Sequence, residues 1–296
     1  KPRIQAEKMK TALKYQIIFL ALTVLPALFS GIRAQEPHFK TIALPSGYED
    51  CRINAMTKDK RGLIWLGTDC GLLYFDGFDF NRVWDVADPV TALFVNASGG
   101  IIAASESGLI ARIPDLVSPP EIIKTASGEE NISAVLETPN DEIWFADYGN
   151  GLGMISHDSI TRVSSINSGL SDDYIYDLAL SGRIIWAASD AGIHRIKPEG
   201  RQPDVSLLTM NDGLPDVMIQ ALEKADDGSI WAGGYDGGFC RINPETHTIG
   251  FTTAGQEWKY GPVTGIMPVE GAVWLATGNS GLLKYELATH LVYQYS

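Results

Sequence analysis

Cysteine is scarce in this chain: Cys51, Cys70 and Cys240 are the only three in 296 residues. So few thiols, so widely spaced, exclude a disulfide-built scaffold and any Cys-x-x-Cys metal site. Basic residues are also thin, 23 against 36 acidic ones. Six of the basic residues and one acidic residue fall before residue 35, which leaves 17 against 35, about −18, for the rest. A surface of that sign repels DNA, RNA and anionic membranes, so nucleic-acid partners are excluded. An acidic ligand held in a local basic pocket is not. Sustained helical periodicity is missing after residue 35, which removes the helical fold classes.

Long apolar runs are missing too, with one exception. Gln16 to Phe29 is nearly all apolar, follows Lys10 and Lys14, and leads to a small-residue exit at Ala34. That is the pattern of a secretory signal peptide over residues 9–34. The run is short for a membrane span and Pro26 interrupts it, although an uncleaved anchor is the alternative. Residues 1–8 precede Met9 and read as upstream readthrough.

What the chain does have is self-similarity. "GLIWLGTDCGLLYFDG" from Gly62 recurs as "EIWFADYGNGLGMI" from Glu142, "IIWAASDAGIHRI" from Ile184, "SIWAGGYDGGFCRI" from Ser229 and "AVWLATGNSGLLKY" from Ala272. A weaker copy, "IIAASESGLIARI" from Ile101, has Ile102 where the others have tryptophan. The anchors Trp65, Ile102, Trp144, Trp186, Trp231 and Trp274 are 37, 42, 42, 45 and 43 residues apart. Five of the seven tryptophans occupy this slot, so the motif is a repeat unit and not a lone active site.

Each unit begins with a short alternating run: "INAM" at Ile53, "VTAL" at Val90, "ISAV" at Ile132, "IYDL" at Ile175, "IQAL" at Ile219 and "VTGI" at Val263. Such runs, bounded by Asp, Asn and Gly turns, read as strands. The tryptophan strand, a third strand and a looser fourth follow. Four antiparallel strands in about 40–45 residues is the period of a β-propeller blade, so the fold class is all-β with six recognisable blades over residues 35–296. The tryptophan is expected to fill the wedge between neighbouring blades. "FKTIAL" from Phe39 reads as a further fourth strand, giving seven outer strands for six inner trios. The count predicts a propeller of seven or more blades, of which this chain is the front part; closure with six is the alternative.

The loop before the first strand of a blade and the loop between its second and third open on one face. Cys51 and Cys70 sit in those two loops of the first unit, so a bridge is open to them in an oxidising compartment. Cys240 falls in a strand and reads as a small core residue.

"AMTKDKRGLIWLGTDCGLLYFDGFDF" from Ala55 resembles the two-component regulator propeller repeat: a strand, a D-x-x-G turn, I-W-x-G-T, a glycine-leucine turn and an aromatic-Asp end. "NDGLPDVMIQAL" at Asn211, "NSGLSDDYIYDL" at Asn167 and, more loosely, "SGYEDCRINAM" at Ser46 resemble its companion signature. The resemblance implies the periplasmic sensor of a hybrid histidine kinase. Such a sensor binds a small-molecule ligand, often an oligosaccharide released from a polysaccharide, and acts as a homodimer that biases a kinase across the membrane. None of His38, His157, His194, His247 and His290 lies in a phosphoacceptor setting, and no ATP-binding glycine boxes occur. Kinase chemistry and the membrane segment are therefore not in this chain. The repeat motif is structural and assigns no ligand residues. The alternatives are a secreted propeller scaffold that binds glycan or protein, and a polysaccharide-degrading propeller enzyme.

Glycoside hydrolysis needs two converging carboxylates. On the innermost strands, one position carries Asn54, Thr91, Ser133, Tyr176, Gln220 and Thr264, and the next carries only one charge, Asp177. A lone carboxylate there reads as a strap between blades, so no catalytic residue is assigned. The loop face is richer. Turns after the tryptophans offer Asp69, Asp147, Tyr148, Asn150, Asp190, Tyr235, Asp236 and Asn279. Loops leading into inner strands add Asp172, Asp173, Tyr174, Asp216, Trp258 and Tyr260. Carboxylates and amides bind sugar hydroxyls while aromatic rings stack on sugar faces. Tyr148, Tyr235 and Trp258 are the stronger candidates; Asp69, Asp147, Asp190 and Asp236 share one repeat position and double as ordinary turn residues. No metal site and no cofactor are expected, since "DDG" at Asp226 lacks the remaining ligands of a calcium loop.

Overall fold

The computed structural model describes residues 39–84, 88–125, 130–156, 159–198, 203–253 and 257–295. Residues 1–8 and 9–34, read from sequence as upstream readthrough and a signal peptide, lie outside these. The chain divides into two compact units, residues 1–43 and 44–296. Of the first, only residues 39–43 are described.

The second unit holds six four-stranded antiparallel sheets, each hydrogen-bonded in chain order. Blade 1 is β1 (Ile53–Lys58), β2 (Ile64–Thr68), β3 (Gly71–Phe75) and β4 (Phe80–Trp84). Blade 2 is β5 (Val90–Val95), β6 (Ile101–Ser105), β7 (Leu109–Ile113) and β8 (Glu121–Lys124). Blade 3 is β9 (Ile132–Glu137), β10 (Ile143–Asp147), β11 (Gly151–Ser156) and β12 (Ser159–Val163). Blade 4 is β13 (Ile175–Ser181), β14 (Ile184–Ser189), β15 (Gly192–Lys197) and β16 (Asp204–Leu208). Blade 5 is β17 (Ile219–Lys224), β18 (Ile230–Gly234), β19 (Phe239–Ile242) and β20 (Ile249–Thr252). Blade 6 is β21 (Val263–Val269), β22 (Ala272–Thr277), β23 (Gly281–Glu286) and β24 (Val292–Tyr295). One turn of 3₁₀ helix, Met210–Asp212, capped by Thr209, is the only helical element among the described residues. The fold is the all-β propeller that the repeat period predicts.

Successive inner strands β1, β5, β9, β13, β17 and β21 pack side by side and so set the order of the blades. In all six blades the inner ladder slips by one residue at the same place. The skipped residues are Asn54, Thr91, Ser133, Tyr176, Gln220 and Thr264. A bulge there leaves the residue outside the ladder and re-aims its side chain. Two of the six fasten one blade to the next: Thr91 Oγ1 donates to the Ile132 carbonyl at 2.6 Å and Ser133 Oγ to the Ile175 carbonyl at 2.7 Å.

The seams follow one rule. The tryptophan of a blade faces the following blade, and the residue after it faces the preceding one. Trp65 packs with Val90 and Ile101 of blade 2, Trp144 with Ile175 and Leu178 of blade 4, Trp186 with Ile219 and Leu222 of blade 5, and Trp231 with Val263 and Ile266 of blade 6. All four indoles are at most 3 % exposed. Blade 2 has only Ile102 to offer, and the volume is restored from across the seam by Phe145. Phe145 pairs with Gly153, where a Cβ would come within 2.0 Å of the ring. The glycine is there to admit the phenyl group.

One sequence expectation fails. Phe39–Leu44 forms no strand, and none of the 24 strands pairs with it. A strand needs a paired neighbour to satisfy its amides, and none of the 24 strands takes that place. The run read from sequence as a further outer strand is therefore not a strand in this structure.

Candidate functional site

The loop face carries the polar and aromatic residues. Cys51 and Cys70 form a disulfide, which joins the loop into β1 to the β2–β3 turn and places the two loop types on one face, as the repeat requires. Cys240 is a free, fully buried thiol on β19, and burial raises its pKa.

The candidate aspartates separate by environment. Asp147 ends β10 and is 2 % exposed. It accepts from the Asn131 amide (3.1 Å), the Asn150 side chain (3.1 Å) and Arg162 Nη1 (2.7 Å). Arg162 also bonds Glu130 at 2.8 Å and lies over the Phe145 ring at 5.1 Å. These bonds make Asp147 a loop anchor. Asp69 accepts from Asn54 Nδ2 at 2.7 Å and has Arg52 at 3.8 Å. Asp236 is exposed, and its amide donates to Asp216 at 2.5 Å. Asp190 is half-buried and accepts from the Tyr176 hydroxyl at 2.7 Å.

Among the aromatic candidates, Tyr148 is brought together with others. Its ring meets Tyr174 edge-on at 5.2 Å and Tyr176 at 5.4 Å. Tyr148 comes from the β10–β11 turn, Tyr174 from the loop into β13, and Tyr176 from the bulge of β13, so the cluster spans blades 3 and 4. The turn can approach because Gly149, at φ +85°, is bonded to the Asp173 carbonyl and has no Cβ to crowd Tyr174. Tyr174 is 48 % exposed and the other two are half-buried. Burial, then the hydrogen bond to Asp190, push the Tyr176 phenol well above its ordinary range, so it is a neutral donor. The Tyr176 hydroxyl also lies 3.8 Å from Met218 Sδ, beside Gln220 of blade 5. The group is an apolar platform edged by a fixed carboxylate.

Tyr235 is exposed, with its amide bonded to the Met218 carbonyl at 3.0 Å. Trp258 is half-buried: its indole N–H donates to the Gly261 carbonyl at 2.7 Å, and its ring meets Phe239 at 6.0 Å and Tyr260 at 5.0 Å. Neither has a ring contact with the Tyr148 cluster among the described residues.

Asp177 lies on β13 near the axis. Its Oδ2 accepts from the Leu222 amide of blade 5 at 2.8 Å and its Oδ1 from the Leu178 amide at 2.8 Å, the strap expected from sequence. Burial raises its pKa to about 6 despite these bonds. Sequence reasoning missed Glu223, on β17 next to the strapped Leu222. Glu223 is an exposed residue, yet local desolvation of its carboxyl and then the Asp177 charge raise its pKa above the ordinary carboxylate range. Glu223 lies two positions beyond the row inspected in the repeat alignment, so a scan extended along the whole inner strand would have found it. Among the described residues no group of three His, Cys, Asp or Glu side chains could hold a metal ion, and no helix is long and apolar enough to cross a membrane.

Comparisons with known proteins agree with this architecture. Residues 47–70 match the two-component regulator propeller family. No curated protein matches the chain. Among solved structures, a virginiamycin B lyase from Staphylococcus aureus is similar at a TM-score of 0.69 and 17% identity, with 87% of this chain and 88% of that one covered. A streptogramin B lyase is similar at a TM-score of 0.66 and 15% identity, with 82% of each covered. At such identities the likeness shows the fold alone. The extracellular domain of a hybrid two-component system from B. thetaiotaomicron is also similar, at 13% identity and a TM-score of 0.46, with 86% of this chain and 42% of that one covered.

Proposed function

We propose, from a chain that carries a two-component regulator propeller repeat at residues 47–70, that this propeller is the ligand-sensing part of such a regulator. It works outside the cytoplasm, and its ligand is an oligosaccharide. The observation that carries the ligand class is the cluster of Tyr148, Tyr174 and Tyr176 on the loop face, with Asp190 held beside it. Three rings meeting edge-on expose C–H-binding faces for a pyranose, and a fixed carboxylate accepts from its hydroxyls. The Cys51–Cys70 bridge supports an oxidising compartment. Pairing of two sensor copies would carry the signal, and that step rests on the family resemblance alone.

Catalysis at the axis is the second reading, and the proximity of Glu223 to Asp177 is what favours it. Both Asp177 oxygens are committed to backbone amides, so neither is presented to a substrate. Binding without turnover is the better reading.

Calorimetric titration against a panel of oligosaccharides tests it. One or more should bind, and Tyr148→Ala or Tyr174→Ala should weaken binding at least tenfold while leaving the circular dichroism unchanged. Binding untouched by both substitutions would remove the site. Release of reducing ends from the panel would revive the enzyme.

A further inference from the structure

Blade 5 departs from the other blades at its outer edge. The ladder between the third and fourth strands runs without a slip in blades 2, 3, 4 and 6. In blade 1 it slips near the loop face, between Leu72 and Leu73. In blade 5 it slips toward the opposite face, between Arg241 and Ile242, and Gly250 of β20 is the residue left over. Neither conformation nor packing requires a glycine there. Its φ lies outside the left-handed region, and a Cβ would meet nothing within 4 Å. Every other described glycine has either a positive φ or a neighbour within 4 Å of the place its Cβ would take. A glycine inside a strand weakens it, and where the fold gives no reason for one it marks the approach of another group.

Gly250 lines a cleft of about 450 Å³, together with Asp227, Ser229, Arg241, Asn243 and Phe251. That volume falls in the range of small-molecule sites, roughly 300–1,000 Å³. The cleft is at the far end of blade 5 from the loop face, because β17 and β19 both run away from that face and the turns that follow them meet here. Its polar wall is already assembled. Arg241 donates from Nη2 to Asp227 Oδ2 at 2.5 Å and from Nε to Ser229 Oγ at 3.1 Å. The Ser229 amide and hydroxyl donate to Asp227 Oδ1 at 2.9 and 2.6 Å. The bonds from Ser229, and then the Arg241 charge, hold the Asp227 carboxyl below its ordinary range, so it is an ionised acceptor. The ladder sets Phe251 directly across from Arg241. Phe251 is half-buried, and its ring meets Phe239 at 5.4 Å and Tyr285 at 5.9 Å.

The charges of the lining decide the ligand class. One guanidinium, Arg241, stands against two carboxylates, Asp227 and Glu245, a balance that disfavours an anion. The guanidinium in turn disfavours a bare cation. Paired as they are, Arg241 and Asp227 set donors and an acceptor side by side, and a hydroxyl group can both donate and accept. Neighbouring hydroxyls of a sugar match that edge, while its C–H face suits the Phe251 ring. We infer that this cleft binds a neutral saccharide, at a second site that does not depend on the tyrosine cluster of the loop face.

The test uses a Tyr148→Ala chain, which takes the loop-face site out of the measurement. Titrated by NMR with maltose, cellobiose, lactose and mannobiose, this chain should still bind at least one of the four. Adding Gly250→Val should weaken that binding at least tenfold. The same substitution should leave Tm level or raise it by about 1–4 °C, since the new side chain enters empty space within a strand. Arg241→Lys, which keeps the charge but loses the planar fork, should also weaken binding at least tenfold. Binding to none of the four sugars, or binding that both cleft substitutions leave unchanged, would overturn the site. So would a fall in Tm in Gly250→Val, because the glycine would then serve the fold. Sugar binding that is present in the wild type and lost with Tyr148→Ala alone would confine the ligand to the loop face, so the two sites fail separately.

Discussion

Replacing Asp177 with asparagine should change how stability depends on pH. In the folded chain this carboxyl titrates near pH 6 because it is buried, against 3.8 for an ordinary aspartate. A group whose folded pKa is raised contributes stability that is complete below the unfolded pKa and is lost as pH rises through the folded one. The shift is roughly two units, or about 3 kcal/mol in full at 1.36 kcal/mol per unit. Between pH 4.5 and 7.5 the linkage relation leaves about 2 kcal/mol of that to be lost. His194 acts in the opposite sense: burial lowers it to about 4, so its contribution is lost as pH falls below the ordinary 6.5. The wild-type curve alone therefore mixes two signs, and the wild-type-minus-variant difference removes His194 and reports Asp177 together with its coupling to Glu223. Urea unfolding of wild type and Asp177→Asn at pH 4.5 and 7.5, at one ionic strength, should show the variant less stable at the lower pH. That deficit should shrink by about 2 kcal/mol at the higher pH. Glu223 should also titrate lower in the variant, since the Asp177 charge helps to raise it. An unfolding difference that is flat across the two pH values would refute the burial argument.

Reducing the Cys51–Cys70 bridge, or replacing both cysteines with serine, should cost about 3 kcal/mol in a denaturant titration, the loop-entropy value for some twenty residues. Trp65→Phe should destabilise more than Trp144→Phe, by about 1–2 kcal/mol in the same assay. The Trp65 indole N–H donates to the buried Asp59 carboxylate at 3.1 Å, whereas that of Trp144 is buried with no hydrogen-bond partner among the described residues. Gly153→Ala should cost about 1–3 kcal/mol, because the new methyl would meet the Phe145 ring, and Phe145→Leu in the same chain should recover part of it.

The repeat made most of the fold legible before any coordinates. The inner strands begin at Ile53, Val90, Ile132, Ile175, Ile219 and Val263, the residues that open the alternating runs. The indoles of four blades are buried at seams because their slot recurs where a wedge must be filled. Phe39–Leu44 misled because its pattern specifies a strand while its pairing depends on segments elsewhere. The site was only partly legible for a related reason. Tyr148 stands out singly in sequence, but its partners Tyr174 and Tyr176 come from the adjacent blade, and seam contacts join residues far apart in the chain. Asp147 looks like a free turn carboxylate until Arg162, fifteen residues on, is seen to hold it.

The slip in every inner ladder has an evolutionary consequence. Each repeat contributes one side chain at equal height around the mouth whose identity is uncoupled from cross-strand pairing. Asparagine, threonine, serine, tyrosine and glutamine all stand at that height in this one chain. Where the side chain does not fasten the next blade, as Thr91 and Ser133 do, it can change one notch at a time, like a tumbler in a lock, without the strand pairing having to be redesigned.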